Sequence, residues 1–179
     1  IVIVSGFPNR ICKSYNYGAD WEVLVSDTLQ FEIQQMSFID ENIGYATHWE
    51  GSVSNSTLKT INGGENWFQT LDLSGGYITL NEAISFVSEQ IGFRGGWYNS
   101  LLLKTTNSAA NWLETSPLDS TNSNPYWAGI FDFHIEESQP DTYYACGWYG
   151  DIFKSIDGGD YWEELVTPVS SSIALYGIF

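Results

Sequence analysis

Short apolar runs alternate with polar turns along the whole chain. Residues 37–46 hold two β-type runs around a polar turn, residues 85–94 repeat them, and a stretched version runs from 132 to 145. Each copy predicts an antiparallel hairpin. A third run comes before the turn described next and a fourth comes after it. Each repeat therefore predicts four strands, which we name A to D in chain order.

The turn between strands C and D is written four times. Its frame is Lys, a Ser or Thr, any residue, Asn or Asp, usually a Gly two positions on, and a closing Trp; it occupies residues 13–21, 59–67, 104–112 and 154–162. The Trp residues lie 46, 45 and 50 positions apart, which indicates a repeat architecture. The Asn or Asp can accept from backbone N–H groups two residues on, and Gly tolerates positive φ. The frame thus predicts a self-contained corner above a buried Trp.

This frame resembles the Asp-box, Ser/Thr-x-Asp-x-Gly-x-x-Trp, also called the BNR repeat, of β-propellers such as sialidases, sortilin, xyloglucanases and the photosystem II assembly factor. The matching positions are Ser14, Thr60, Thr105 and Ser155 (hydroxyl), Asn16, Asn62, Asn107 and Asp157 (amide or acid), Gly18, Gly64 and Gly159, and Trp21, Trp67, Trp112 and Trp162. Three copies carry Asn instead of Asp, and Ala109 stands where Gly is expected. The third corner is therefore predicted to be strained or built differently. Because these residues recur with the fold, we interpret them as structural.

The resemblance implies an all-β chain, a β-propeller of four-stranded antiparallel blades with Asp-box C–D turns. Blade 1 covers strands B to D in residues 1–25, blades 2 to 4 cover 31–74, 78–118 and 127–168, and 173–179 is predicted as a further strand A. Phe179 follows Trp162 by 17 residues, as Phe38 follows Trp21. These strands allow a closed four-bladed ring or an arc of a larger ring. We expect the arc, because the chain begins and stops inside apolar runs.

Composition narrows the classes of partner. Six basic residues stand against 22 acidic ones, giving a formal charge of −16, which repels phosphate backbones and argues against nucleic-acid binding. No apolar run is long enough for a membrane span. Cys12 and Cys146 occupy non-equivalent repeat positions and are expected to be small buried hydrophobes rather than a disulfide. The charge suits a secreted or cell-surface protein, which we expect to be bacterial.

Aromatic residues recur in the B–C loops and are the candidate ligand-binding residues: Phe7, Trp49, Trp97 with Tyr98, and Trp148 with Tyr149. In a propeller the B–C loops share one face with the D–A links, so these rings are predicted to cluster there. Exposed aromatic rings can stack on sugars or anchor a peptide. The alternative is that they pack between neighbouring blades.

Candidates for catalysis and metal binding are weaker. Asp132 and His134 form a polar pair on the fourth strand A, and Asp132 with Glu82 could form a glycosidase carboxylate pair; the alternative is a pair that only lines the channel. A sialidase resemblance would require an arginine triad, but the chain holds only Arg10 and Arg94. The photosystem assembly factor implies a basic surface, which the charge contradicts. Residues 119–124 could offer oxygen ligands to Ca²⁺, although an ordinary solvated loop is favoured.

The sequence therefore predicts a non-catalytic extracellular recognition or adhesion module without a cofactor or metal, binding a glycan or a protein through one propeller face. The first alternative is a fragment of a xyloglucanase-like glycoside hydrolase. The second is a structural subunit of a surface assembly, joined to further blades or domains of a longer chain.

Overall fold

A computed structural model describes residues 1–6, 10–25, 32–49, 57–70, 81–96, 102–115, 129–168 and 173–179. These residues form four antiparallel sheets, each built from strands that follow one another in the chain. Apart from one 3-10 turn at Trp148–Gly150, every regular element described is a strand. The predicted all-β fold is confirmed, and we call the sheets blades 1 to 4. The described part of the chain contains no helix with the length and apolarity to cross a bilayer.

The strands of each blade pair in sequence order. Blade 1 has three strands, β1 (Val2–Gly6), β2 (Arg10–Ser14) and β3 (Glu22–Val25). The other blades have four: β4 (Glu32–Phe38), β5 (Gly44–Trp49), β6 (Leu58–Thr60) and β7 (Phe68–Gln69) in blade 2; β8 (Asn81–Phe86), β9 (Gly92–Gly96), β10 (Leu102–Thr105) and β11 (Leu113–Glu114) in blade 3; β12 (Ile130–Ile135), β13 (Tyr143–Gly147), β14 (Ile152–Ser155) and β15 (Glu163–Leu165) in blade 4.

The hydrophobic core lies between the blades, because neighbouring sheets turn apolar faces toward each other. Three clusters result. Ile3, Ile11 and Leu24 of blade 1 meet Ile33, Ala46 and Leu58 of blade 2; Tyr45 of blade 2 meets Ile84, Leu103 and Trp112 of blade 3; Phe93 and Leu102 of blade 3 meet Ile130, Phe153 and Trp162 of blade 4. None of these clusters of described residues joins blade 4 to blade 1.

Each Lys-to-Trp segment folds into the same corner. The hydroxyl oxygen accepts from the backbone N–H four residues on, as Thr60 does from Gly64 at 2.9 Å. The Asn or Asp oxygen also accepts from a residue four positions on, as Asn62 does from Asn66 at 3.0 Å. The Asn or Asp side chain therefore bonds to the backbone four residues on, and not two residues on as the sequence predicted. Equivalent bonds occur in the corners that begin at Ser14, Thr105 and Ser155.

The third corner keeps this backbone despite its substitutions. Ser108 and Ala109 adopt φ of 61° and 64°, where the fourth corner has Gly158 and Gly159 at 77° and 83°. The corner is therefore strained rather than built differently, since side chains with a Cβ disfavour this region. One bond is lost: the indole N–H of Trp112 is buried with no hydrogen-bond partner in the described structure, whereas that of Trp162 donates to the Gly159 carbonyl at 3.2 Å.

The last residues, 173–179, belong to no sheet of the described chain, although the sequence predicts a strand there. They lie instead against blade 4. The Leu175 N–H donates to the Gly147 carbonyl at 2.9 Å, and the Ile178 N–H donates to Asp132 Oδ2 at 3.2 Å. A strand requires a neighbouring strand along its edge, and in the described residues the segment has contacts to its blade but no such partner.

Candidate functional site

Most of the predicted binding aromatics lie where the structure gives no description. Phe7, Trp97, Tyr98 and residues 119–124 are outside the described residues, and the side chains of Trp49 and Glu82 are also outside them, although both residues end or enter described strands. Whether these rings share one face stays a prediction. Trp148 and Tyr149 are described, and they define the candidate site.

Trp148 and Tyr149 are held on a hydrogen-bonded turn between β13 and β14. The Asp151 N–H donates to the Trp148 carbonyl, the Gly147 N–H donates to the Asp151 carbonyl, and the Trp148 N–H donates to the Gly129 carbonyl, each at 3.1 Å. Tyr149 has a φ of 61°, a conformation that non-glycine residues seldom adopt. The turn therefore presents its two rings from a backbone with little freedom.

The rings belong to an aromatic group that we call the blade 4 cluster: Phe131, Trp148, Tyr149 and Tyr176. The Phe131 ring is 5.4 Å from that of Trp148 in an edge-to-face arrangement and is stacked on that of Tyr176 at 4.9 Å. Phe131 is buried, Trp148 and Tyr149 are half-buried, and Tyr176 is 71% exposed. Trp148 thus packs on Phe131 of its own blade, and Phe131 in turn packs on Tyr176 from the last residues of the chain. The half-buried rings above Phe131 leave apolar surface accessible to a ligand.

A carboxylate pair adjoins this turn, and sequence reasoning missed it. Asp151 immediately precedes β14 and is only 9% exposed; Glu164 lies on β15. Burial and, secondarily, the negative charge of Glu164 raise the pKa of Asp151 to about 6. One oxygen of Glu164, Oε2, is buried without a hydrogen-bond partner in the described structure. A carboxyl group with such a pKa can hold or release a proton near neutral pH.

The pairing of β14 with β15 explains why Asp151 and Glu164 are neighbours. Ile152 pairs with Leu165 and Phe153 with Glu164, so Asp151 and Glu164 are diagonal neighbours on one face of the hairpin. Two acidic residues at diagonal positions near the end of a hairpin repel each other in the folded chain. That repulsion could be anticipated once the register was fixed, but the burial of Asp151 could not.

Asp132, the predicted weak catalytic candidate, is engaged by both of its oxygens. Gln35 Nε2 donates to Oδ1 at 3.3 Å, and the Ile178 N–H donates to Oδ2 at 3.2 Å. Gln35 in turn accepts from the Ile84 N–H at 2.5 Å, so the two residues connect three inner strands and the end of the chain. This arrangement supports a structural role, while a catalytic role for Asp132 with Glu82 stays a prediction.

The two cysteines are free thiols. Cys146 is buried beside Asp132, and burial together with that negative charge raises its pKa to about 11. Its thiol donates to the Leu175 carbonyl at 3.3 Å. Cys146 therefore behaves as a small packed side chain, and its thiol stays protonated at neutral pH.

Comparison with known proteins identifies the fold. No family model and no curated protein matches the chain. Among solved structures it is similar to YCF48 bound to a D1 peptide, with a TM-score of 0.57 and 23% identity over 82% of this chain and 46% of that one. It is also similar to the GH74 xyloglucanase from Xanthomonas campestris, with a TM-score of 0.69 and 15% identity over 92% of this chain and 28% of that one. The similarity to YCF48 from Cyanidioschyzon merolae has a TM-score of 0.51 and 16% identity over 90% of this chain and 68% of that one.

The chain is an arc of a β-propeller. It spans less than half of the peptide-bound YCF48 chain and 28% of the xyloglucanase chain. At these identities the likeness concerns the fold alone, so the site has to be argued from its own residues. In this arc the candidate site lies on blade 4, at the turn between its second and third strands.

Proposed function

We propose that this propeller arc is a non-catalytic recognition module of a secreted or cell-surface bacterial protein. It binds a protein or a glycan through the face that carries its B–C loops. The observation that carries this proposal is the blade 4 cluster, in which Trp148 and Tyr149 stand half-buried on a turn fixed by three backbone hydrogen bonds. Aromatic anchors on a preorganised backbone lose little conformational entropy when they bind.

Two further features support a protein partner. The fold is shared with a YCF48 structure that holds a D1 peptide, which makes a peptide ligand compatible with this architecture. The charge of −16 would attract a partner segment that carries Lys or Arg. A glycan remains within the proposal, because aromatic faces stack on sugar rings as well as on peptide side chains.

We also propose that the four corners are Asp-boxes. Their support is the repeated bond from the hydroxyl to the residue four positions on, together with the Trp that closes each corner. On this proposal the corners stabilise the blades and take no part in binding.

The proposed site is tested by calorimetric titration of a Lys-rich peptide and, separately, of a xyloglucan oligosaccharide. We expect one of the two probes to bind and its affinity to fall about thirtyfold for Trp148→Ala or Tyr149→Ala, which corresponds to the loss of about 2 kcal/mol that defines a binding hot spot. Tyr161→Ala is the matched control, because Tyr161 is 49% exposed on the fourth corner, away from the turn. Unchanged affinity in both site variants would refute the proposed site.

The second candidate function is carbohydrate hydrolysis, and one observation favours it. Asp151 has its pKa raised to about 6 beside a second carboxylate, and its backbone is bonded to that of Trp148. A glycosidase needs a protonated and an ionised carboxyl group on either side of the scissile bond. Incubation with xyloglucan at pH 5 and detection of reducing ends tests this, with Asp151→Asn expected to abolish the signal. No product from the unaltered chain would reject hydrolysis of this substrate.

A further inference from the structure

Two carboxyl groups lie on the side of the blade 4 hairpin that faces blade 3. Phe153 and Trp162 mark this side, because both are buried in the cluster that joins the two blades. Glu164 pairs directly with Phe153 across β14 and β15. Asp151 precedes Phe153 by two residues in an extended backbone, and alternate residues of an extended chain point the same way. Asp151 and Glu164 therefore meet at the junction of blades 3 and 4.

The negative charge of this pair is poorly compensated. Asp151 is only 9% exposed, and no hydrogen bond reaches its carboxylate in the described structure. Glu164 is half-buried, and its Oε2 atom has no hydrogen-bond partner there. Burial and then the charge of Glu164 raise the pKa of Asp151 to about 6, so this carboxyl is mostly ionised at neutral pH. A buried charge without partners is costly and favours the binding of a counter-ion.

The chain has no basic side chain placed to act as that counter-ion. All six basic residues belong to the described part of the chain, and each has another position. They are Arg10 on β2 of blade 1, Lys13 bonded to the Gly63 carbonyl, Lys59 paired with Glu89, Arg94 bonded to Thr57 and lying over Trp112, Lys104 paired with Asp160, and Lys154 over the ring of Tyr144. The two histidines lie on β5 and on the inner strand β12. The positive charge therefore has to come from outside the chain.

We propose that Asp151 and Glu164 bind Ca²⁺ at the junction of blades 3 and 4. Carboxylate oxygens are the ligands that this hard cation prefers, and water can complete its flexible coordination shell. Two carboxylates balance its double charge, whereas a single ammonium group would leave one negative charge uncompensated. The site is separate from residues 119–124, the weak Ca²⁺ candidate of the sequence, and it does not depend on the proposed recognition function.

The ion would connect the binding turn to the outer strand of blade 4. Asp151 is the last hydrogen-bonded residue of the turn, because its N–H donates to the Trp148 carbonyl at 3.1 Å. Glu164 lies on β15, the outermost strand of the blade. An ion held by both side chains therefore links these two elements. It also removes the repulsion that opposes folding at neutral pH.

Terbium luminescence tests the site directly. Tb³⁺ replaces Ca²⁺ at oxygen-rich sites and emits when a nearby tryptophan is excited, and Trp162 lies two residues before Glu164. We expect a saturable signal that Ca²⁺ displaces with a Kd of about 0.1–1 mM, the range of extracellular Ca²⁺ modules. Asp151→Asn and Glu164→Gln should each weaken Tb³⁺ and Ca²⁺ binding at least about tenfold, because each removes one of two charged ligands.

Glu163→Gln is the matched control. It removes the same charge from the adjacent exposed position of β15, so the affinity for both ions should change less than about twofold. This comparison separates a built site from ions held loosely around a chain with a charge of −16. The proposal is overturned by the absence of a saturable signal, by a signal that Ca²⁺ does not displace, or by equal affinities in the control and the two site variants.

Urea unfolding gives a second readout. The midpoint in CaCl₂ is compared with that in NaCl at the same ionic strength, which screens the surface charges equally. Because the folded hairpin binds the ion and the unfolded chain does not, Ca²⁺ should raise the midpoint of the unaltered chain and of Glu163→Gln. No rise in these two proteins, or an equal rise in Asp151→Asn and Glu164→Gln, rejects the site. Neither readout involves peptide or glycan binding at Trp148, so the two proposals can fail separately.

Discussion

Asp151 makes the stability of the chain depend on pH in a direction opposite to that of an ordinary carboxylate. Burial beside Glu164 raises its pKa from 3.8 to about 6, so the folded protein holds this proton more tightly than the unfolded chain. The stabilisation is fully present below about pH 4 and is lost as the pH rises through about 6. Over the whole titration this corresponds to about 3 kcal/mol.

The pH range over which this loss of stability can be measured is narrower than the full titration of Asp151. The sequence pI is about 4.1, so solubility favours working above pH 5. Between pH 5 and pH 8, a folded pKa of about 6 leaves about 1.4 kcal/mol of the effect to be lost. Asp151→Asn cannot ionise and escapes this loss. The unfolding free energy of the variant should therefore gain about 1.4 kcal/mol relative to the unaltered chain as the pH rises from 5 to 8.

Urea denaturation followed by tryptophan fluorescence at both pH values measures this difference. The comparison between the two proteins cancels the titration of the other acidic groups. Glu164→Gln is a second probe: by removing the neighbouring charge it should shrink the pH effect but not eliminate it, because burial is the larger cause. A difference between Asp151→Asn and the unaltered chain that stays constant from pH 5 to 8 would refute the reasoning.

Three substitutions test the repeat itself, each read as the midpoint of urea unfolding. Thr105→Ala removes the acceptor of the buried Ala109 N–H and should lower the free energy of unfolding by about 1–2 kcal/mol. Thr106→Ala, at the exposed neighbouring position, should lower it by less than about 0.5 kcal/mol. Equal losses of stability in the two variants would contradict the corner geometry. Ala109→Gly relieves about 1–2 kcal/mol of backbone strain and removes a buried methyl group worth about 0.8 kcal/mol. We therefore expect the free energy of unfolding to rise by about 0.5 kcal/mol. A clear loss of stability would mean that packing of the methyl group outweighs the strain. Gly95→Ala would place a Cβ against the Ile130 side chain at the junction of blades 3 and 4 and should lower the free energy of unfolding by about 1–3 kcal/mol. Gly6→Ala should change stability little, because nothing lies within 4 Å of an added Cβ there. Unchanged stability in both variants would contradict the packing at this junction.

The corners were predictable because their bonds are local. A hydroxyl and an Asn or Asp reach backbone N–H groups only a few residues away, so the four copies fold alike whatever lies around them. The strain at Ala109 was foreseeable for the same reason, since the backbone of a tight corner fixes φ before any tertiary contact forms. The fold class followed from the spacing of these corners.

The candidate site was only partly predictable. The repeat placed Trp148 and Tyr149 in a B–C loop, but the aromatic cluster depends on Tyr176, which reaches Phe131 only through the docking of the last residues on blade 4. Asp151 escaped notice because its pKa depends on burial, which an isolated Asp beside a glycine does not reveal. Both features arise from contacts between segments that the repeat treats as unrelated.

Departures from a repeat locate function better than the repeat does, and in the described residues several of them coincide on blade 4. Asp132 is a carboxylate at the register position that Gln35 holds in blade 2 and Ala83 in blade 3, and its Oδ2 accepts the backbone N–H of Ile178. The last residues of the chain bring Tyr176 onto Phe131 and thereby shape the surface around Trp148. The last residues and the binding turn therefore depend on one support, the inner strand of blade 4 that carries Phe131 and Asp132.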